Sequence, residues 1–455
     1  MNNYITGFDV VLIPLYIALI MGIGSSFSKK LPYKVMRGYF LKGLALKLLC
    51  GLGFAWVYVY YYGGGDTQMY FRGGSAIYEA VFSSNGGIGA LFNDDVLRYG
   101  SASTHLTQRT TGFINLFAFN SFWTCTLLFA ALSFLGQWLL FLCFFRLFPK
   151  LHRSLAIVTL FIPGVAFWSS GIMKDSLCML FIGVIVYAVQ NIFLLNRKKT
   201  VSILLLVTGF YMIINLKAYI ALALLVSLAL YALLALKANI KNATTRILVM
   251  PIAAVFIFGT ALFTMNRIGE SLERYSLENL AETAQTYQGY HERISYAGRG
   301  SASRTGSGYT LGEINFNSPL SVAAKIPAAI NVTFFRPYVW EVRNPVMLLS
   351  ALESLLIFLF ALKVIRKVGL GRFFHQLVSN KEVLFCIAFA LIFGFAVGFT
   401  SYNFGSLVRY KAPCIPFFLV ALVLINDLPA RKKKMPLRKN VRRTATQPTI
   451  HPQLS

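Results

Sequence analysis

Trp168-Ser-Ser-Gly-Ile-Met-Lys-Asp175 is a polar island between two apolar runs, 153–169 and 175–195, and its reading decides the fold. The run before it is short and contains Pro163, which removes a helix hydrogen bond and kinks the chain. If that run failed to cross a bilayer, every later loop would change sides. Counted as a crossing, whether whole or broken, it lets the loops sort by charge. Lys29, Lys30, Lys34 and Arg37 fall on the same side as Arg146, Lys150 and Arg153. Arg197, Lys198 and Lys199 join them, as do Lys237, Lys241 and Arg246, and then Lys363, Arg366, Lys367, Arg372 and Lys381. The alternate loops are less basic or acidic.

Working outward from the island, apolar runs long enough to span stand at 10–24, 39–62, 122–147, 153–169, 175–195, 200–215, 218–236, 246–266, 344–363, 383–401 and 407–427. The expectation is an all-α polytopic membrane helix bundle of about eleven spans. The excess of basic residues in alternate loops puts the N-terminus outside and the C-terminus inside. Residues 1–430 form the transmembrane domain, with two long outer segments, 63–121 and 267–343. Residues 431–455 form a basic cytoplasmic tail, with eight Lys or Arg between Arg431 and Arg443, suited to anionic phospholipid headgroups.

Composition agrees with this class: 56% of the 455 residues are hydrophobic and 13% charged. The net charge of +27, from 43 Lys and Arg against 16 Asp and Glu, would point to nucleic acid in a soluble protein. Here most of it sits in loops between spans, so no nucleic-acid partner is expected. The six cysteines all lie in apolar runs without Cys-x-x-Cys spacing, which fits small core residues better than disulfides or metal ligands. Met1 to Asp9 has no basic n-region or cleavage site, so the first run is expected to remain as a span. No phosphate-binding loop or dinucleotide fingerprint occurs, and neither cofactor nor metal is expected.

On the side where lysine and arginine are normally depleted, four islands carry them. They contribute Lys174, then Asn215-Leu-Lys217, then Arg336 and Arg343 around Pro337, Tyr338, Trp340 and Glu341, and finally Arg409 and Lys411. Each has a plain structural use: an ion pair with Asp175 or Glu341, a side chain snorkelling to the interface, or a headgroup contact. Arg409 and Lys411, two residues apart on a helix, point in different directions, so one can face a cavity and the other the headgroups. Together, the cations suit an anion at the membrane surface, most readily a phosphate or pyrophosphate. A lipid-linked pyrophosphate presents that group at this depth. Asp66, following Gly63-Gly-Gly65 at the mouth of a helix, is the candidate base, with Asp175 second and Glu341 third. Tyr70, Trp168, Tyr338 and Asn403 are candidates for the acceptor side. The stretch Ala297–Gly308, with Arg299 and Arg304, reads as a linker or as a loop that orders over an anion.

The order Gly65-Asp66-Thr-Gln-Met-Tyr70, then Phe167-Trp-Ser-Ser-Gly171 with Lys174-Asp175, then Arg409-Tyr-Lys-x-Pro413-x-x-Pro416 resembles bacterial multi-spanning glycosyltransferases. These belong to the class C glycosyltransferase and O-antigen or exopolysaccharide polymerase group. The resemblance implies a bacterial cytoplasmic (inner) membrane enzyme that uses polyprenyl-(pyro)phosphate-linked sugars, with envelope polysaccharide assembly proteins as partners. It matches Asp66 to the acidic residue of the first large outer loop and Arg409 to a late phosphate-binding arginine. The Asp-x-Asp or Glu-x-Asp pair usual in class C, and its large soluble C-terminal domain, are missing here, which favours a metal-free mechanism. Two other classes stay open. A flippase or transporter of lipid-linked oligosaccharide or another anion would also want a cationic cavity, and an assembly scaffold would leave the charges unexplained.

Overall fold

The computed structural model describes residues 5–83, 87–97, 100–195, 199–239 and 308–428, apart from 313, 316 and 317, with a few further positions between 242 and 259. Most of the apolar run 246–266, the greater part of the second outer segment with Arg299 and Arg304, Arg98 and the basic tail lie outside the described residues. Among the described residues the chain is helical, and the β-type pairing is a single bridge between Gly308 and Asn403. The helices are α1 (Gly7–Lys29), α2 (Lys34–Trp56), α3 (Asp66–Val81), α4 (Ala102–Ala118), α5 (Phe122–Leu147), α6 (His152–Leu160), α7 (Pro163–Trp168) and α8 (Lys174–Val189). They continue as α9 (Lys199–Asn239), α10 (Pro319–Ala324), α11 (Ile326–Phe335), α12 (Pro345–Val368), α13 (Leu370–Ser379), α14 (Lys381–Thr400), α15 (Phe404–Tyr410) and α16 (Ile415–Asn426).

Among the described residues seven helical runs are long and apolar enough to cross a membrane: Gly7–Lys29, Lys34–Tyr61, Phe122–Leu147, Lys174–Leu194, Lys199–Lys237, Pro345–Val368 and Lys381–Thr400. An eighth is added if the bent pair α15 and α16 is one span. Several of the expected spans are therefore broken or joined. Apolar side chains gain little by leaving lipid for each other, so small residues decide where helices meet. At the centre, α5 and α8 cross through Gly136 and Gly183: a Cβ on Gly183 would lie 2.0 Å from the Gly136 carbonyl oxygen.

Three interruptions shape the polar end of the bundle. The run expected at 153–169 is two helices that break before Pro163, and the Gly164 N–H freed there donates to Glu353 of α12 at 2.5 Å. In α9 the backbone leaves helical geometry at Lys217 (φ −153°, ψ 85°). Gly209, before this break, lies against Ile185 and Phe181 of α8. Beyond it, Tyr219 stacks on Phe393, while Tyr231 meets Phe385, near the start of α14. Tyr231 also shares a small apolar pocket with Leu147 and with Leu194, close to where α9 began. The two legs of α9 therefore run in opposite directions and reverse at Lys217. The third break bends α15 against α16 by 62°, next to Arg409 and Lys411.

The described part of the second outer segment is more deeply packed than its place between spans suggested. Helix α11 lies on α14, where Gly394 and Gly398 make room for Phe334 and Thr333, and the Thr333 hydroxyl donates to the Gly394 carbonyl at 2.6 Å. The chain turns at Arg336, whose carbonyl accepts from Lys411 Nζ (3.1 Å) and Ser354 Oγ (3.1 Å), well inside α12. It then returns to Asn344, which caps α12 by accepting from the Met347 N–H at 2.8 Å. The first outer segment forms the amphipathic helices α3 and α4, joined closely at Gly73, Gly74 and Gly112.

Candidate functional site

Four helix ends bring charge to one place. Asp66 and Asp175 stand in the first turns of α3 and α8, where the helix dipole favours a carboxylate. Arg409 stands in the last turn of α15, where it favours a cation, and Lys217 sits at the reversal of α9. Two local features bring Asp66 into position. Gly65 has φ 138°, a region closed to side chains, and a Cβ there would lie 3.0 Å from the Tyr58 ring. Tyr58 itself projects from a π-helical turn, Val57–Tyr61, that ends the second span.

The charges alternate in sign. Arg409 Nη2 lies 3.0 Å from Asp66 Oδ2 and Arg409 Nε 3.7 Å from Asp175 Oδ2; Lys217 Nζ donates to Asp175 Oδ1 at 2.5 Å. Arg409 also donates from Nη1 to the Tyr58 hydroxyl (3.4 Å) and from Nη2 to that of Tyr410 (3.0 Å). Lys217 Nζ sits 4.3 Å from the centre of the Tyr410 ring. Nearby, Lys174 donates to Ser103 (2.8 Å) and Thr104 (3.3 Å) of α4 and faces the Tyr70 ring at 5.7 Å. With Lys174, three cations meet two carboxylates, so one positive charge is in excess.

Asp66 and Arg409 open onto a cavity of about 1020 Å³. Its other walls include Tyr58, Tyr61, Tyr62, Trp168, Asn403, Phe404 and the segment Arg343–Met347. Aromatic faces, amides and a carboxylate in one concave surface suit a polar ligand with apolar ring faces, and the arginines suit an anion. Burial, and after it the Asp66 carboxylate, pushes the Tyr70 phenol up, so it stays a protonated hydrogen-bond donor at neutral pH.

The structure thus brings together Asp66, Asp175, Lys217 and Arg409, sets Lys174 and Tyr70 beside them, and places Trp168, Arg343 and Asn403 on the cavity wall. Asn403 also caps α15, accepting from the Gly405 N–H at 2.7 Å. Arg336, Tyr338 and Lys411 belong to a separate network. Arg336 grips Glu341 through Nε, at 3.1 and 3.0 Å, and through Nη2, among the rings of Tyr309, Tyr338 and Phe404. Burial works against the Glu341 carboxylate, but hydrogen bonds from Arg336 and the Tyr338 N–H outweigh it and hold the group below the usual carboxylate range. Lys411 donates to Ser354 at 3.0 Å and to the Arg336 carbonyl, so its charge braces the turn after α11.

Sequence reasoning passed over Lys47 and Glu353, and it read Tyr58 only as part of a Tyr-rich aromatic belt at the end of the second span. Lys47 is buried midway along the second span and donates to Ser169 Oγ at 2.5 Å, just behind Trp168. A lysine deep inside an apolar run, one turn and more beyond Lys42, was the available signal. Among the described residues no group of three or more His, Cys, Asp or Glu converges as a metal site would require. No protein-family model, no curated protein and no solved structure matches this chain.

Proposed function

We propose that this chain is a membrane glycosyltransferase, of the polysaccharide polymerase kind, acting on polyprenyl-(pyro)phosphate-linked sugars at the extracytoplasmic face of a bacterial cytoplasmic membrane. In this reading the chain crosses about eleven times, with its N-terminus outside and C-terminus inside. The broken run 152–168, the two legs of α9, and the bent pair α15 and α16 each supply crossings to that total. The observation that carries the reading is the Asp66–Arg409 pair at 3.0 Å on the wall of an aromatic cavity, at the end of the bundle where the helix breaks gather.

The chemistry follows from these groups. The anomeric carbon of the donor sugar sits between an acceptor hydroxyl and the lipid (pyro)phosphate. Asp66 takes the hydroxyl proton as the acceptor oxygen bonds to that carbon. The carbon–oxygen bond to phosphate breaks, and the electron pair leaves with the lipid (pyro)phosphate. Arg409 meets the charge that grows on the leaving group, which lowers the barrier because that charge is greater in the transition state than in the bound substrate. Asp175 and Lys217 hold Arg409 in place from behind. Trp168, Tyr61 and Tyr62 offer ring faces to the sugars, and Asn403 offers an amide.

One observation favours a second reading, a transporter of lipid-linked oligosaccharide. Interrupted helices surrounding a charged site are how many transporters build theirs, and here α6–α7, α9 and α15–α16 are all interrupted. The two readings part in cells whose surface polysaccharide depends on this chain. Asp66→Asn and Arg409→Ala are expected to stop polymer while single lipid-linked units accumulate on the outer face. If the units accumulate on the inner face, the transporter reading takes over. Normal polymer from both variants at normal protein level would remove the site from either function.

A further inference from the structure

We infer that the Asp66–Arg409 ion pair is a substrate-operated switch: a (pyro)phosphate entering the cavity displaces Asp66 from Arg409, and only then is Asp66 released to take a proton. The inference rests on the proposed function and concerns the order of events at the same site.

The partners of Arg409 are not equally replaceable. Nε faces Asp175, whose side chain is 2% exposed and which also holds Lys217, itself 9% exposed. Taking Asp175 from this arrangement would strand two cations in a low-dielectric interior. Nη1 donates to the hydroxyl of the buried Tyr58. Asp66 is different: its side chain is 45% exposed, and it holds Arg409 through Nη2 on the cavity wall. Asp66 is thus the exposed member of a pair whose other member, the Arg409 side chain, is 11% exposed, and it is the partner that solvent and a ligand can reach. A phosphate at Nη2 offers a charge-assisted hydrogen bond of its own in place of the carboxylate contact, and it carries more negative charge than a carboxylate.

The exchange has a chemical use. While Arg409 holds Asp66, a hydroxyl or a water in the cavity finds its base engaged. Arrival of the donor's phosphate occupies the arginine and frees the carboxylate next to the reacting carbon. Activation of the acceptor therefore follows binding of the donor. The alternative, in which Asp66 and phosphate sit on Arg409 together without competing, predicts that removing the Asp66 charge changes donor affinity no more than removing any surface acid on α3.

The test measures binding to the full-length chain in lipid nanodiscs, using farnesyl pyrophosphate as the lipid-linked probe and inorganic pyrophosphate as the free one. Asp66→Asn removes the competitor and is expected to bind the pyrophosphate at least about two- to fivefold more tightly, the span of a fully exposed ion pair, since here one partner is buried. It is also expected to lose turnover. Asp66→Glu restores the charge and is expected to bind as wild type does, and Glu79→Gln at the far end of α3 is the surface-acid control. A preference for the farnesyl compound identifies a lipid headgroup as the occupant, while equal affinity for both probes identifies free phosphate chemistry. If wild type binds and Asp66→Asn binds no more tightly, the switch is overturned while the proposed function stands. If wild type binds neither probe, the proposed function fails and the switch with it.

Discussion

Lys47 shows how much a single side chain can carry in this molecule. Among the described residues its ammonium group has one hydrogen-bond partner, the Ser169 hydroxyl, which in turn donates to the Val165 carbonyl at 2.5 Å. Removing the partner and removing the charge should have opposite consequences. Ser169→Ala leaves a buried donor unmet and should cost about 1–3 kcal/mol. Lys47→Met replaces it with an apolar chain of similar length and should be neutral or stabilising. Thermal unfolding in one detergent ranks the two variants, and equal loss from both would show that Lys47 contributes by charge. Arg336 and Glu341 make a different residue-scale claim. Because Glu341 titrates below its unfolded value, the pair stabilises the fold above the usual carboxylate range, and that contribution is lost as pH falls through the depressed folded value. Glu341→Gln should therefore unfold more easily than wild type at neutral pH and converge with it in acid. A gap that persists below the carboxylate range would mean that packing, and not charge, holds the turn. The sequence reading offered the Glu341 pairing as one use of Arg336 but also counted Arg336 among the phosphate ligands. Nothing in the local sequence says that a carboxylate five residues away will fold back onto the guanidinium.

At the scale of elements, the legible parts were those that depend on local chemistry. Pro163 marks a real break, and Lys217 marks a reversal so tight that the two apolar runs on either side form one continuous helical stretch with a single non-helical residue. Helix α11 was not legible as a packed element. Its apolar run is short, and what buries it are Gly394 and Gly398 in a distant helix, a contact that no pattern within residues 326–335 encodes. Helix α13 makes its own prediction. Leu370, Phe374 and Val378 recur every four residues and are 60%, 60% and 64% exposed, while Phe373 and Leu377 turn toward the core. Lying between the ends of α12 and α14, this stripe is placed to rest in the lipid interface, with Arg366 and Arg372 beside it for anionic headgroups. An environment-sensitive fluorophore on Phe374→Cys should be quenched by spin-labelled lipid in bilayers containing phosphatidylglycerol. Quenching by a water-soluble agent alone would place the stripe in solvent.

Across the whole molecule, hydropathy and charge were enough for the class, a multi-pass helical bundle, because every backbone polar group in a bilayer must be satisfied within a helix. They also put the four residues that meet, Asp66, Asp175, Lys217 and Arg409, among a longer set of candidates drawn from loops far apart in the chain. What charge counting could not supply was pairing. It grouped Lys217, Arg336 and Arg409 as one clamp, whereas the fold gives Lys217 to Asp175, Arg336 to Glu341, and leaves Arg409 as the cation on the cavity wall beside Asp66. Pairing depends on which helix ends converge, and that follows from the breaks at Phe161–Ile162, at Lys217 and between α15 and α16. The most direct test of the central claim uses the purified chain in vesicles with a labelled polyprenyl-pyrophosphate-linked glycan. Wild type should lengthen the glycan on its lipid, and Asp66→Asn, folded to the same extent, should fall to background. Equal lengthening by the two proteins would contradict the account.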